Sequence, residues 1–350
     1  MTDTFLEAQV VEGLEEIAAN ELRRFFSSDP KCGEPELIVG RGSTRFSLPG
    51  LPGWLKDLKT SAAVYYGQRF DIPRPKALLG DENFRLLLDQ INLALSFSGR
   101  ESFQSFYLSA SGRDSSLLLR MRSQIAEAIG LPEGDRQGEL LVRLRNADGA
   151  SGGWEALVRL TPRPLSTRAW RVCNFEGSLN ATVAHSMALL TNPSAGDFVL
   201  NLGCGSGSLL IERLAAGEVR LISGCDLSQT ALSCCVRNLH AAGLAGSAHL
   251  ILGDGRQLPY PDNFFDSVLA DLPFGQRVGS HPANRLLYPA LMAEAARVLR
   301  PGGKVAVLTH EVRLFHSLMA NSKEWFLQRI VRVNLRGLHP RIFVLVRKVG

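Results

Sequence analysis

The 350-residue chain is predicted to be an α/β protein, with a parallel sheet covered on both faces by helices in its C-terminal half and smaller α/β units before it. Three observations predict this. From about residue 178, strand-like and helix-like segments alternate. A nearly all-apolar strand, Phe198–Leu202, runs straight into the loop Gly203-Cys204-Gly205-Ser206-Gly207. A second strand then ends on an acid, Asp226, 23 residues past Gly203.

Taken in order, Phe5–Val10 alternates as a strand, and Leu14, Ile17, Ala18 and Leu22 share one helical face. A strand over 36–46 is broken by Gly40 and Gly42, and Pro49, Gly50, Pro52 and Gly53 make a turn. Leu51, Leu55 and Leu58 mark a short helix, and residues 64–72 a strand ended by Pro73 and Pro75. A second unit over 80–165 starts at a helix that Asp81 could cap, bearing Leu86, Leu87, Ile91 and Leu95. A strand at 105–110 follows, then a helix opened by Ser115 and closed by Gly130, then strands at 140–144 and 156–160. In the C-terminal half, helices are expected at 178–191, 207–216, 228–242 and 284–299. Strands are expected at 198–202, 219–225, 247–252, 265–271 and 304–309, with two more at 325–333 and 341–346.

Composition is ordinary for a globular chain, at 45% hydrophobic and 21% charged, which argues against wholesale disorder and fibrous repeats. No apolar run reaches the ~18–20 residues that cross a bilayer. The acidic start lacks a basic segment and an apolar one, so a cytoplasmic protein is expected, with no membrane partner. Six scattered cysteines without a CxxC pair are expected to be buried reduced thiols, with no metal site. Charge is uneven: residues 1–50 carry five basic and nine acidic side chains, residues 301–350 nine and two. Four arginines and no acid occupy 159–171, and 32 of the 39 basic residues are Arg, whose planar fork suits phosphate and base contacts. That balance favours a nucleic-acid partner.

The glycines of the 203–207 loop permit a sharp turn and close approach by a ligand, and the helix behind them favours negative charge. The spacing is GxGxG, not the GxGxxG of dinucleotide sites, so a ligand without a pyrophosphate fits, such as S-adenosylmethionine (AdoMet). Asp226 stands where an acid accepts ribose hydroxyls, although it could equally cap the next helix. Asp254 is placed to accept from an adenine amino group, or to shape a turn with Gly255. The strand 265–271 delivers Asp271-Leu272-Pro273-Phe274 to the sheet edge where ligands sit. Acceptors at Asp271 and the Leu272 carbonyl would pull on the hydrogens of a planar exocyclic amine and stabilise charge developing on its nitrogen. Pro273 stiffens the loop, and Phe274 would stack on a base. His281, His310 and His316 are expected to be solvated or structural.

On these residues the chain resembles the THUMP-domain tRNA guanine-N2-methyltransferases. Asp271-Leu272-Pro273-Phe274-Gly275 matches the Asp-aliphatic-Pro-Phe-Gly form of that family's reactive motif, followed by Arg277, Gly279, Ser280, Asn284 and Leu287-Tyr288-Pro289. The stretch 164–171 is similar to the family's junction between its domains, and 177–184 to the helix before its glycine loop. The resemblance is strong over 160–310 and looser before. It implies a ferredoxin-like domain over 1–72, a THUMP domain over 73–162, a linker over 163–176, and over 177–350 a Rossmann-like class I methyltransferase domain with a seven-stranded, mostly parallel sheet. The implied donor is AdoMet, held by Asn201, Gly203, Cys204, Gly205, Gly207, Asp226, Leu227, Asp254, Gly255 and Asp271. The implied acceptor is N2 of a tRNA guanosine in the acceptor stem, at position 6 or nearby, with RNA contacts from Arg163, Arg168, Arg171 and Arg277. Asn201 departs from the family's pattern, in which an acid commonly ends the first strand. For a eukaryotic-like member the resemblance adds a small zinc-binding activator subunit. Ribosomal RNA, adenine N6, or tRNA binding without catalysis are the alternatives.

Overall fold

The computed structural model describes residues 4–111, 115–135, 139–147, 152–274, 280–335 and 337–349. The chain divides into two compact units, Met1–Val10 with Ala18–Ser166, and Val11–Ile17 with Thr167–Gly350.

The first unit is one seven-stranded sheet. Its strands are β1 (Thr4–Val10), β2 (Ile38–Gly40), β3 (Ser43–Phe46), β4 (Ser61–Phe70), β5 (Phe106–Ser109), β6 (Leu140–Asn146) and β7 (Trp154–Arg159), in the order β2-β3-β1-β4-β7-β6-β5. β5 and β6 run parallel and the other pairs antiparallel. Alternation along each strand sorts the side chains. Leu6, Ala8, Phe46, Val142, Leu144, Ala156 and Val158 enter a core with Leu22 and Phe26 of α1 (Glu15–Ser28), Leu87 and Ile91 of α2 (Asp81–Ser98), and Met121 and Ile125 of α3 (Ser116–Ile129). The intervening residues Glu7, Arg45, Arg145 and Glu155 form a cross-strand ion-pair network, with Arg45 2.9 Å from Glu7 and 2.8 Å from Glu155. Position 72/73 falls two residues past β4, which pairs with β7 from Tyr65↔Arg159 to Phe70↔Trp154, so one sheet continues across it and Ile72 is buried in its core.

The second unit is the alternating half. Its strands are β8 (Phe198–Leu202), β9 (Leu221–Asp226), β10 (His249–Leu252), β11 (Phe265–Asp271), β12 (Leu299–Thr309), β13 (Trp325–Arg332) and β14 (Arg341–Arg347), in the order β10-β9-β8-β11-β12-β14-β13. The first five run parallel, and β14 is antiparallel to both neighbours. The helices are α4 (Ala181–Leu190), α5 (Ser208–Ala215), α6 (Gln229–Ala241), α7 (His281–Val298) and α8 (Val312–Ala320). α7 and α8 pack Tyr288, Leu291, Met292, Phe315 and Met319 against Leu200, Val268, Ala270, Val305 and Phe343. Chain order turns back between β8 and β11, so the crevice at their C-terminal ends is the expected ligand position for such a sheet.

Local chemistry sets several boundaries. α4 starts at Ala181, not at 178, because the Asn180 side chain accepts from the amides of Thr182 and Val183. α7 starts at His281, capped by Ser280 with a proline in its first turn. α8 is a helix the sequence did not reveal: its cap residue Glu311 makes no side-chain capping bond, and nine residues is too short for a clear periodic signal. Gly13 has φ +99°, and a Cβ there would lie 1.7 Å from the Arg332 carbonyl oxygen, which ties 11–17 to the end of β13. No described helix is long and apolar enough to cross a membrane. The expectation of reduced thiols fails at one pair: Cys173 and Cys234, 61 residues apart, are joined by a disulfide, whereas Cys32, Cys204, Cys225 and Cys235 are free.

Candidate active site

β8 ends at Leu202, immediately before the glycine loop that leads into α5. Gly203, Gly205 and Gly207 have φ of +67°, +52° and +86°, a region costly for other residues. A Cβ on Gly203 or Gly205 would meet nothing within 4 Å, so the loop presents bare backbone to open space. A Cβ on Gly207 would lie 2.6 Å from Cys235 Sγ, which pins the start of α5 against α6. The loop is held from three sides. Asp226 Oδ2 accepts from Gly205 N at 2.8 Å, Asn238 Nδ2 donates to the Ser206 carbonyl at 3.0 Å, and Ser206 and Ser178 hydroxyls bond at 2.8 Å.

Asp226 is half-buried at the end of β9, and its Oδ1 accepts from Ser228 N at 2.9 Å. The helix cap itself is Ser228, whose hydroxyl accepts from Ala231 N. Asp226 thus joins the glycine loop to the next helix while each oxygen keeps a lone pair. Leu227, beside it, is 70% exposed. Asp254 follows β10, and Arg256 donates to both its oxygens, at 3.0 and 2.6 Å. Those bonds, with the Arg256 amide, hold the Asp254 carboxyl below the usual aspartate value. A Cβ on Gly255 would lie 2.7 Å from the Leu202 side chain, which would have to shift to admit it. Cys204 is buried, and a hydrogen bond with Cys235 together with burial raises its thiol far above the ordinary range, so it stays protonated. Asn201 is fully buried: its Nδ2 donates to the Leu269 carbonyl at 3.1 Å, and its Oδ1 has no hydrogen-bond partner among the described residues.

β11 delivers Asp271 beside β8 and β12, opposite Leu308. Its Oδ1 is enclosed and has no hydrogen-bond partner among the described residues. Burial pushes its carboxyl up to about 7. The loop after it is clamped from α7: Tyr288 Oη donates to the Pro273 carbonyl at 2.6 Å, and Asn284 Nδ2 donates to the same oxygen at 3.0 Å. Tyr288 Oη also bonds Thr309 Oγ1 at 2.8 Å. The sequence set Asn284 and Tyr288 in the matching stretch without a role. Their i, i+4 spacing puts both on one helix face, the signal that could have found them. Tyr288→Phe is expected to cost about 1–3 kcal/mol, because Thr309 and the Pro273 carbonyl lose a buried partner. Urea unfolding at the wild-type midpoint would remove the clamp from this account.

Phe274 packs edge-to-face on His310, with ring centroids 4.2 Å apart. Burial, and then His339, lowers the His310 pKa, so the imidazole is neutral at pH 7. The structure therefore gives His310 a partner in the motif that sequence reasoning did not. His281 bonds Glu311 at 2.8 Å, and His316 lines a separate groove.

The arginines divide. Arg163 is exposed. Arg168 is buried at 9% exposure and paired with Glu212 at 2.8 Å, which His185 also contacts at 3.1 Å, so its guanidinium faces inward rather than toward a phosphate. Burial raises the Glu212 carboxyl, but His185 and Arg168 outweigh it and hold it below the usual glutamate value. Arg171 is half-buried, donating to the Leu179 carbonyl at 2.7 Å and the Ser208 hydroxyl at 3.0 Å, at the start of α5. Arg277 lies outside the described residues.

Comparison with known proteins bears on this edge of the sheet. Residues 168–341 match the family described as UPF0020: RMKL-like, methyltransferase domain. A mouse protein named tRNA (guanine(6)-N(2))-methyltransferase THUMP3 is 29% identical over 185 residues, covering 49% of this chain and 36% of its own. The chain thus spans about a third of that relative's length. A Thermus thermophilus protein named tRNA (guanine(6)-N2)-methyltransferase is 26% identical over 352 residues, covering 97% of this chain and 99% of its own. The crystal structure of TrmN from Thermus thermophilus superposes with a TM-score of 0.74 at 24% identity, covering 99% of this chain and 100% of that one, a likeness of fold.

Proposed function

We propose, from the premise that residues 168–341 belong to the UPF0020 family of RMKL-like methyltransferase domains, that this protein transfers a methyl group from AdoMet to the exocyclic N2 of a tRNA guanosine, in the acceptor stem at position 6 or nearby. One observation carries the reading: Asp271 brings an enclosed carboxylate oxygen, without a hydrogen-bond partner among the described residues, to the C-terminal end of β11, where the sheet's order reverses.

The loop geometry fits the donor. Gly203 and Gly205 leave open space where a side chain would stand. Asp226 has lone pairs for two ribose hydroxyls, and Leu227 offers an apolar surface to a purine. Asp254 would take the adenine amino group on the lone pairs that Arg256 leaves, with Gly255 allowing close approach. Asn201 sits on β8 two residues before the loop, and its buried Oδ1 has no hydrogen-bond partner among the described residues. When bound, AdoMet supplies an electrophilic methyl group. The remaining work belongs to the chain. Asp271 Oδ1 accepts one hydrogen of the guanine amino group and the Leu272 carbonyl the other. These bonds draw the nitrogen lone pair out of conjugation and stabilise the charge that develops on it. A carboxylate raised to about 7 is also a competent acceptor for the proton the nitrogen sheds. Phe274, braced by His310, stacks on the base. The Pro273 carbonyl, held by Tyr288 and Asn284, is tied back, which leaves the Leu272 carbonyl for the substrate.

We assign 1–72 as the ferredoxin-like part and 73–162 as the THUMP part, with 163–176 as the linker to a methyltransferase domain over 177–350. Arg163 is the exposed RNA contact of that linker; Arg277 is proposed as a second, in the segment after the motif. The protein would act in the cytoplasm.

The test is methyl transfer from labelled AdoMet to unmodified tRNA transcripts, with nucleoside mass spectrometry of the product. N2-methylguanosine is expected. Methyladenosine, or methylation of ribosomal RNA alone, would overturn the substrate assignment. Turnover only after a zinc-binding partner is added would identify an activator subunit.

A further inference from the structure

The strongly basic C-terminal stretch finds no role in the transfer step, and the structure gathers part of it into a groove. Val312, Arg313, His316, Ser317 and Arg341 line an open groove of about 550 Å³ on the second unit. We infer that Arg313, His316 and Arg341 form a phosphate-binding groove that receives the backbone of the substrate RNA beside the reacting base; this rests on the RNA methyltransferase reading above.

Topology supplies the proximity. Arg341 opens β14 opposite Thr309, and Leu308, one residue back on β12, stands opposite Asp271. Arg341 and Asp271 are thus two strand spacings apart along one sheet edge, roughly 10 Å between Cα atoms. Arg313 and His316 sit three residues apart on α8, hence on one side of that helix. The chain enters α8 directly from Thr309-His310-Glu311, the segment that braces Phe274 and Tyr288. The groove and the reaction centre therefore share their framework.

Charge supplies the ligand class. Neither Arg313 nor Arg341 makes an ion pair or side-chain hydrogen bond among the described residues. At the opposite end of the parallel strands the arginines are neutralised: Arg213 by Asp197, Arg297 by Asp262 and Glu294, Arg300 by Asp266, all at 2.7–2.9 Å. The acid nearest in sequence to the groove, Glu311, is only 16% exposed and already bonded to His281. Two free guanidinium forks and an imidazole facing solvent, with no acid to satisfy them, match the oxygens of successive phosphodiesters.

The experiment uses the full chain with unmodified tRNA transcripts. Binding by filter retention is followed between about 50 and 200 mM salt, with initial rates alongside. For Arg313→Ala and Arg341→Ala the slope of log affinity against log salt should fall by about 1 each. The KM for tRNA should rise about tenfold, with AdoMet affinity retained and Arg→Lys variants partly restored. Arg300→Ala removes the same charge from the opposite edge and should leave the slope alone. Unchanged slope and KM in both groove variants, while the wild type still forms N2-methylguanosine, would overturn the groove and leave the enzyme standing. If the wild type methylates no guanosine, the enzyme reading fails, and the salt slopes of RNA binding still decide the groove.

Discussion

Asp271→Ala should lower kcat for methyl transfer by at least about 10²–10³-fold, the usual loss when a preorganised acceptor for developing charge is removed. AdoMet affinity should change far less, because the variant loses an interaction that strengthens only as the nitrogen becomes charged. The wild-type pH profile follows from the same residue. Burial pushes the carboxyl up to about 7, and its ionised form is the stronger acceptor for the amine hydrogens and the one that offsets the developing positive charge. Activity should therefore rise with pH through about 7 and level off above 8. A flat profile from pH 5 to 9 would remove Asp271 from the transfer step. Stability should run the other way. The folded-state value lies above the ordinary 3.8, so holding Asp271 ionised costs stability as pH climbs from about 4 through 7. Asp271→Asn should be more stable than wild type at pH 8, by at most about 4 kcal/mol, with the gap closing toward pH 4. Equal denaturation midpoints at pH 8 and pH 4 would show that the carboxyl is not strained by burial. A residue that destabilises the fold where it is needed for chemistry is expected at a reaction centre.

Asp226→Ala should weaken AdoMet binding about 10²-fold or more, read by calorimetry. Two losses combine: the ribose acceptors, each hydrogen bond to a charged group contributing about 1.5–3 kcal/mol, and the restraint on the glycine loop through Gly205 N. Asp226→Asn keeps an acceptor oxygen and should fall between. Were Asp226 only a brace between Gly205 and Ser228, the alanine variant would unfold more easily yet bind AdoMet with wild-type affinity. That outcome would remove the ribose assignment.

Much of the second unit was legible because its central strands β8, β9 and β11 are largely buried on both faces. Phe198–Leu202 reads as a short, nearly all-apolar run and Phe265–Asp271 as a strand with an apolar centre at Val268–Ala270, and their observed ends match those expected. The glycine loop and Asp226 were legible because positive φ and a carboxylate at a strand end are needs met by few residue types. Arg168 shows the limit of reading charge along the chain. It counts as one of four arginines in a basic stretch, yet the fold buries it against Glu212, 44 residues away. The Cys173–Cys234 bond, across 61 residues, follows no spacing rule. α8 escaped notice because a nine-residue helix without a capping bond depends on packing Phe315 and Met319, which a local pattern does not contain.

By itself the sequence determined what depends on residue type and short spacing: the alternating elements, the bare glycine loop, the acids at strand ends, and the motif Asp271-Leu272-Pro273-Phe274 at the end of β11. Tertiary structure alone decided what depends on distant partners meeting. The strand order that sets β8 against β11 is one such case. So are the burial that raises Asp271, the grip of Tyr288 and Asn284 on the Pro273 carbonyl, the pairing that withdraws Arg168, and the lack of an ion partner for Arg313 and Arg341 among the described residues. The physical reason is that burial, dielectric and ion pairing are properties of neighbourhoods, and a neighbourhood exists only once the chain has folded.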